Sequence, residues 1–235
     1  IVPSSSSEET QVGESSSSVG GGSIIYGSFT DTRDGKTYKT VVIGTQTWFA
    51  ENLNYGDRTK IERECEDYDY EYEQSEECYY YINEKEIGKC YDNDPANCVK
   101  YGRLYTYTES NTVCPSGWNK ATYPSKDYIG DEDFAGTKLK AKSGWNDYER
   151  ASGNGTDEFG FSALPGGYGN LDGSFGGVGN GGMWWGYGSS PSGRCVPYTA
   201  CPDYGYNSIY YNSERVGSSW SNPSNLFSVR CVKVE

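Results

Sequence analysis

Cysteine has the most definite chemistry to offer in this chain. Eight cysteines stand at positions 65, 78, 90, 98, 114, 195, 201 and 231. The count is even and no two show the CxxC spacing of a zinc or redox motif, so disulfides formed in an oxidising compartment are the economical reading. Short loops favour Cys65–Cys78, Cys90–Cys98 and Cys195–Cys201, which leaves Cys114 for Cys231. That is one choice among about a hundred connectivities open to eight cysteines. Histidine is absent. Its absence removes Ser-His-Asp triads, Cys-His dyads, His-ligated zinc and imidazole proton shuttles together. The stretch GFSALPGG (160–167) is not a nucleophile elbow, because Ser162 is followed by Ala163 and Leu164 without the closing glycine. Carboxylate pairs can be drawn almost anywhere among 33 acidic residues, so no glycosidase pair stands out. The chain reads as non-enzymatic.

Other residues are candidates for binding. Asp147, Asn154, Asp157 and Glu158 could supply part of the oxygen shell that calcium requires, with loop-stabilising hydrogen bonds as the plainer alternative. No other cofactor is indicated. Trp184, Trp185, Tyr187, Tyr168 and Tyr198 sit in or beside glycine-rich sequence, where flat rings on loops can stack on a polysaccharide or fill a partner's pocket. The alternative is that Trp184 and Trp185 plug the core. Neighbours on a strand point oppositely, so one of the two is expected to be exposed. Asp31, Arg33, Asp34, Gly35 and Lys36 have the composition of a hydrogen-bonded turn. Asn52 is expected to be buried, bridging loops.

These groups must be held by a chain of 235 residues, enough for one domain with a tail. The formal charge of −13 argues against nucleic acid and anionic membrane surfaces as partners. No apolar run approaches the ~18–20 residues of a membrane-spanning helix. Only 34% of residues are apolar, 23 tyrosines among them, but each aromatic ring buries a large area. Residues 1–23, with two Ser4 tracts, scattered Glu and a Gly triplet, form a tail or linker. The first residue is Ile1 and no signal-peptide pattern is present, so any secretion signal is expected to have been removed.

The domain then spans 24–235. Asp34-Gly35 predicts a hairpin turn before the alternating strand at 37–43, and Gly44 a second turn. Residues 57–99 form an acidic, tyrosine-rich insert with fourteen Asp/Glu against five Lys/Arg. Its DYDYEYE run alternates as a half-buried strand would. Between Gly153 and Gly193, fifteen of forty-one residues are glycine, a density that excludes helix. Residues 226–234 alternate as a terminal strand. The only helix candidates are 46–54 and 132–142. The reading is α+β, rich in strand and loop.

Five segments carry a resemblance. DTRDGKTYKTVVIGTQTWFAENLNY (31–55), CYDNDPANCVKYGRLYTY (90–107), CPSGW (114–118), GFSALPGGY (160–168) and SVRCVK (228–233) together resemble the Fibrobacter succinogenes major paralogous domain, a family of secreted bacterial surface proteins. The resemblance implies a C-type-lectin-like or sulfatase-modifying-factor-like module with its ends brought together. The chain departs from the family pattern after CPSGW, where Asn119 replaces a common His and little room is left for a long helix.

The function expected is that of a non-catalytic, secreted cell-surface structural or adhesive protein. In its sharper form, the N-terminal tail docks on another copy and builds a filament, with Ile24, Ile25 and Tyr26 as apolar anchors. The alternative is a polysaccharide-binding module using the loop aromatics. An enzyme of the formylglycine-generating type is a third reading carried by fold analogy alone.

Overall fold

The computed structural model describes residues 23–56, 58–61, 83–186 and 204–234. The tail 1–22, the DYDYEYE run, the expected pairs Cys65–Cys78 and Cys195–Cys201, and the rings of Tyr187 and Tyr198 lie outside the described residues.

The fold is β-rich with little helix. The strands in chain order are β1 (Tyr26–Thr30), β2 (Thr37–Ile43), β3 (Gln46–Phe49), β4 (Arg58–Ile61), β5 (Asn83–Glu86), β6 (Leu104–Tyr105), β7 (Trp118–Ala121), β8 (Gly166–Gly169), β9 (Phe175–Val178), β10 (Gly181–Trp185), β11 (Gly205–Tyr210), β12 (Val216–Trp220), β13 (Phe227–Ser228) and β14 (Arg230–Lys233). One sheet has the order β1-β2-β3-β14-β7. A second runs β12-β11-β10-β13-β6, with β8 and β9 joined to it through β10. A separate ribbon pairs β4 with β5 at the base of the acidic insert.

Local chemistry explains the first hairpin. Gly35 adopts φ +74°, which a glycine takes without steric cost. Asp31 accepts from the Arg33 N–H (3.1 Å) and Asp34 from the Lys36 N–H (3.0 Å), closing the expected turn. Gly44 turns the chain again at φ +64°, and a Cβ there would run into the Tyr128 ring. The strand β2 then pairs with β3 in the register Val41↔Trp48.

That pairing corrects one expectation. Residues 46–54 are strand and loop, because Gln46–Phe49 satisfies its backbone across β2 and sends Trp48 and Phe49 into different cores. The candidate at 132–142 is a 3₁₀ turn, Glu132–Phe134, followed by a short helix. Four short helices are described: α1 (Pro95–Tyr101), α2 (Tyr107–Ser110), α3 (Lys126–Ile129) and α4 (Ala135–Leu139). The first has an Asp94 cap on the Ala96 N–H, proline at its first turn and Gly102 after its last. In α2, Thr106 and Glu109 close a capping box.

The C-terminal run is strand as expected, but it serves two sheets. Phe227–Ser228 pairs with β6 and β10, Val229 makes the crossing, and Arg230–Lys233 pairs with β3 and β7. One core joins the sheets: Val41, Ile43, Trp48 and Ala50 meet Trp184, Ile209, Leu139 and Phe161. A second core gathers Tyr38, Phe49, Tyr105, Trp118 and Val229. A third holds Met183, Trp185 and Phe227. Two disulfides are formed, Cys90–Cys98 across eight residues and Cys114–Cys231 across 117. Among the described residues no helix is long and apolar enough to cross a membrane.

Candidate functional site

The centre of the molecule is polar. Arg230 opens β14 and is fully buried. Its guanidinium donates to the carbonyl oxygens of Phe49 (2.9 Å), Phe161 (2.5 Å) and Ser162 (3.4 Å) and to Asn52 Oδ1 (3.0 Å). It also lies 4.2 Å from the Phe161 ring centroid. Asn52 Oδ1 accepts a second bond from Trp184 Nε1 (2.9 Å), while its Nδ2 donates to the Tyr101 carbonyl (2.8 Å) and Ser228 Oγ (3.3 Å). Asn52 therefore bridges loops, as expected, and ties both sheets to α1. Burial pushes the Arg230 guanidinium down to about 9, against the pull of Asp157 and Glu51. It remains charged at neutral pH, carried by carbonyl dipoles rather than by a paired carboxylate.

Beside this hub a cleft of about 360 Å³ opens between the start of β1, the segment after β3, and α1. Tyr26, Lys39, Glu51, Asn54, Val99, Lys100 and Ser162 line it, with Asn52 at its inner end. The Cys90–Cys98 bridge fixes the α1 wall, since Cys98 is itself a lining residue. Glu51 accepts from the Lys39 N–H (2.9 Å). Ser162 donates from its N–H and from Oγ to the two oxygens of Asp157, both at 2.7 Å. Asp157 and Ser162 both hold positive φ, +46° and +52°. A hydroxyl on a carboxylate has the form of a nucleophile–base pair. Here the same carboxylate also takes Ser162's own N–H, so the contact is accounted for as loop closure. The lining offers mixed charge, amides and the apolar side chains of Ala50, Val99 and Leu164, a surface suited to binding.

Two further lysines are buried. Lys120 on β7 donates to Ser110 Oγ (3.0 Å) and Asn111 Oδ1 (2.7 Å) and sits 4.0 Å over the Tyr107 ring. Burial pushes its ammonium down to about 8. Lys140 donates to the carbonyls of Ser213 (3.1 Å) and Tyr210 (3.4 Å), clamping the turn after β11.

The sequence-derived candidates divide. Trp184 and Trp185 point to opposite sides of β10, but both sides are covered, and the two rings are 1% and 0% exposed. Trp185 Nε1 donates to the Tyr105 carbonyl (2.7 Å). The expectation that one of them faces a ligand is overturned: both are core. Tyr168 is half-buried against the Met183–Trp185–Phe227 core.

The four expected calcium donors do not make a cage. Asn154 Oδ1 accepts from the Trp145 N–H (3.0 Å), Asp157 is committed to Ser162, and Glu158 accepts from Thr156 Oγ1 (3.3 Å). Asp147, Asp157 and Glu158 do not converge, and no cluster of three His, Cys, Asp or Glu that could hold a metal is found among the described residues. Ile24 packs against the inter-sheet core while Ile25 and Tyr26 stay exposed.

Arg230 was not singled out from the sequence. Alternation offered no signal for it: Val229 and Cys231 lie on the opposite phase, and Arg230 is buried because both faces of the strand are covered.

The family model for the Fibrobacter succinogenes major domain matches residues 41–233, and the chain belongs to that family. The match begins inside β2 and ends with β14. No curated protein and no solved structure matches the chain.

Proposed function

We propose that this protein is a non-catalytic, secreted bacterial surface protein with a structural or adhesive role, joined to further copies of itself through its N-terminal tail. Family membership and two disulfides of the kind that persist in oxidising compartments support secretion. The four described cysteines are all bonded, so none of them offers a free thiol nucleophile. A C-type-lectin-like architecture is part of the proposal. The strand that ends the domain, β14, shares a sheet with β1, with β2 and β3 between them, which agrees with a module whose ends are brought together.

The observation that carries the self-assembly reading is the junction between tail and domain. Ile25 is 75% exposed and Tyr26 42%, on a segment that leads into the outermost strand of its sheet. Exposed apolar side chains on an open strand edge favour addition of another chain. A head-to-tail contact of this kind makes a filament when its rotation does not close. Deletion of residues 1–23 is expected to leave a folded monomer that makes no fibres in electron microscopy. Fibres of normal appearance from that variant would overturn the proposal.

A further inference from the structure

We infer that the surface receiving the N-terminal segment of a neighbouring copy is the open edge of β1 together with the cleft beside it, where Lys39 and Lys100 meet the segment's Glu8, Glu9 and Glu14. This rests on the self-assembly reading above and names its acceptor.

Four observations converge. The strand β1 has β2 on one side and no strand on the other among the described residues, so one row of its backbone groups faces outward. The cleft begins at Tyr26, the first residue of that strand. Its mouth carries Val99, 85% exposed on α1, an apolar contact for a Val or Ile of an incoming segment.

Charge selects the occupant. The segment 1–23 contains three glutamates and no Lys or Arg, within a chain of net charge −13. The negative charge is concentrated in that segment and in residues 57–99, with fourteen acids against five bases, so the acidic insert repels it. Lys39 and Lys100 line the cleft and are exposed, and neither makes an ion pair among the described residues. Lys100 rests 4.7 Å from the Tyr101 ring centroid. Glu51 is the single carboxylate in the lining. A segment of twenty-two residues preceding Ser23 spans up to about 75 Å when extended, enough to reach an adjoining copy.

Charge exchange in the full-length chain tests this. One variant carries Lys39→Glu with Lys100→Glu; the other carries Glu8→Lys, Glu9→Lys and Glu14→Lys. Circular dichroism checks that both are folded, and sedimentation velocity with electron microscopy reads assembly. Each variant alone is expected to need about tenfold more protein for half-assembly. An equimolar mixture is expected to recover, because each tail then meets an acceptor of opposite sign.

Wild-type assembly that survives the lysine reversals but not the glutamate reversals would overturn the acceptor and leave the tail reading standing. A mixture that does not recover, or two variants that both assemble as wild type, would overturn the pairing. A wild-type chain that stays monomeric at every concentration would overturn the inference and the self-assembly reading together.

Discussion

Asn52 is the residue on which the two sheets depend most. Its Oδ1 takes bonds from Trp184 and Arg230, so Asn52→Ala leaves two buried donors short of an acceptor. The expected loss is about 3 kcal/mol in urea unfolding, with the m-value unchanged. A loss under about 0.5 kcal/mol would show that the bridge is dispensable. Lys120 makes a second prediction, in pH. Burial holds its folded value near 8, below the ordinary 10.5. Between those values the unfolded chain binds the proton and the folded one does not, so stability rises with pH across that window. Burial also raises Tyr38 and Tyr105, which the folded state keeps neutral after the unfolded chain has begun to ionise near 10. Their contribution is present below pH 10 and is lost above it. The melting temperature is therefore expected to climb from pH 7.5 to 9 through Lys120; from about 9 Arg230 adds to the climb, and the tyrosines oppose both above 10. In Lys120→Met the climb should flatten; an unchanged profile in that variant would remove Lys120 as its cause.

At the scale of elements, loop length ranks the two described disulfides. Cys114–Cys231 ties β14 to the segment entering β7 and closes 117 residues; Cys90–Cys98 closes eight around the start of α1. On the chain-entropy model the long bridge stabilises by roughly 4–5 kcal/mol and the short one by about 2–3. Paired Cys→Ser variants compared by denaturant midpoint check the order. A short-bridge variant that loses more would mean that local geometry in α1 outweighs loop closure. The same elements show how helices were missed. Asp94, Pro95 and Gly102 bracket α1 with ordinary start and stop signals, but they stand inside a segment dominated by acid and tyrosine. At 46–54 Trp48 and Phe49 suit either period, and pairing with β2 decides for strand.

Over the whole molecule, the core that holds Trp48 and Trp184 together belongs to both sheets at once. The chain also crosses from one sheet to the other at a single residue, Val229. The largest core is therefore shared by the two sheets. Tryptophan fluorescence and far-ultraviolet circular dichroism are therefore expected to report one coincident unfolding transition. Two separated transitions would show that the sheets fold as independent units. With Trp184 and Trp185 inside, a substitution at either tryptophan is expected to act as a packing defect.

Several features followed from local sequence alone. The β1–β2 hairpin, the strand at 37–43, the C-terminal strand and the short-loop pair Cys90–Cys98 follow from turn chemistry, alternation and cysteine spacing. These are properties of neighbours along the chain. The fate of Trp184 and Trp185 was of another kind. Alternation correctly sends them to opposite faces of β10, but whether a face meets solvent depends on what distant segments lay over it. Tyr107 and Phe227 cover one side, and Trp48 and Phe161 share the core on the other. Arg230 is the same case in polar form. Alternation beside Val229 and Cys231 would send it outward, and the carbonyls of Phe49, Phe161 and Ser162 that make its burial tolerable come together only when the two sheets close.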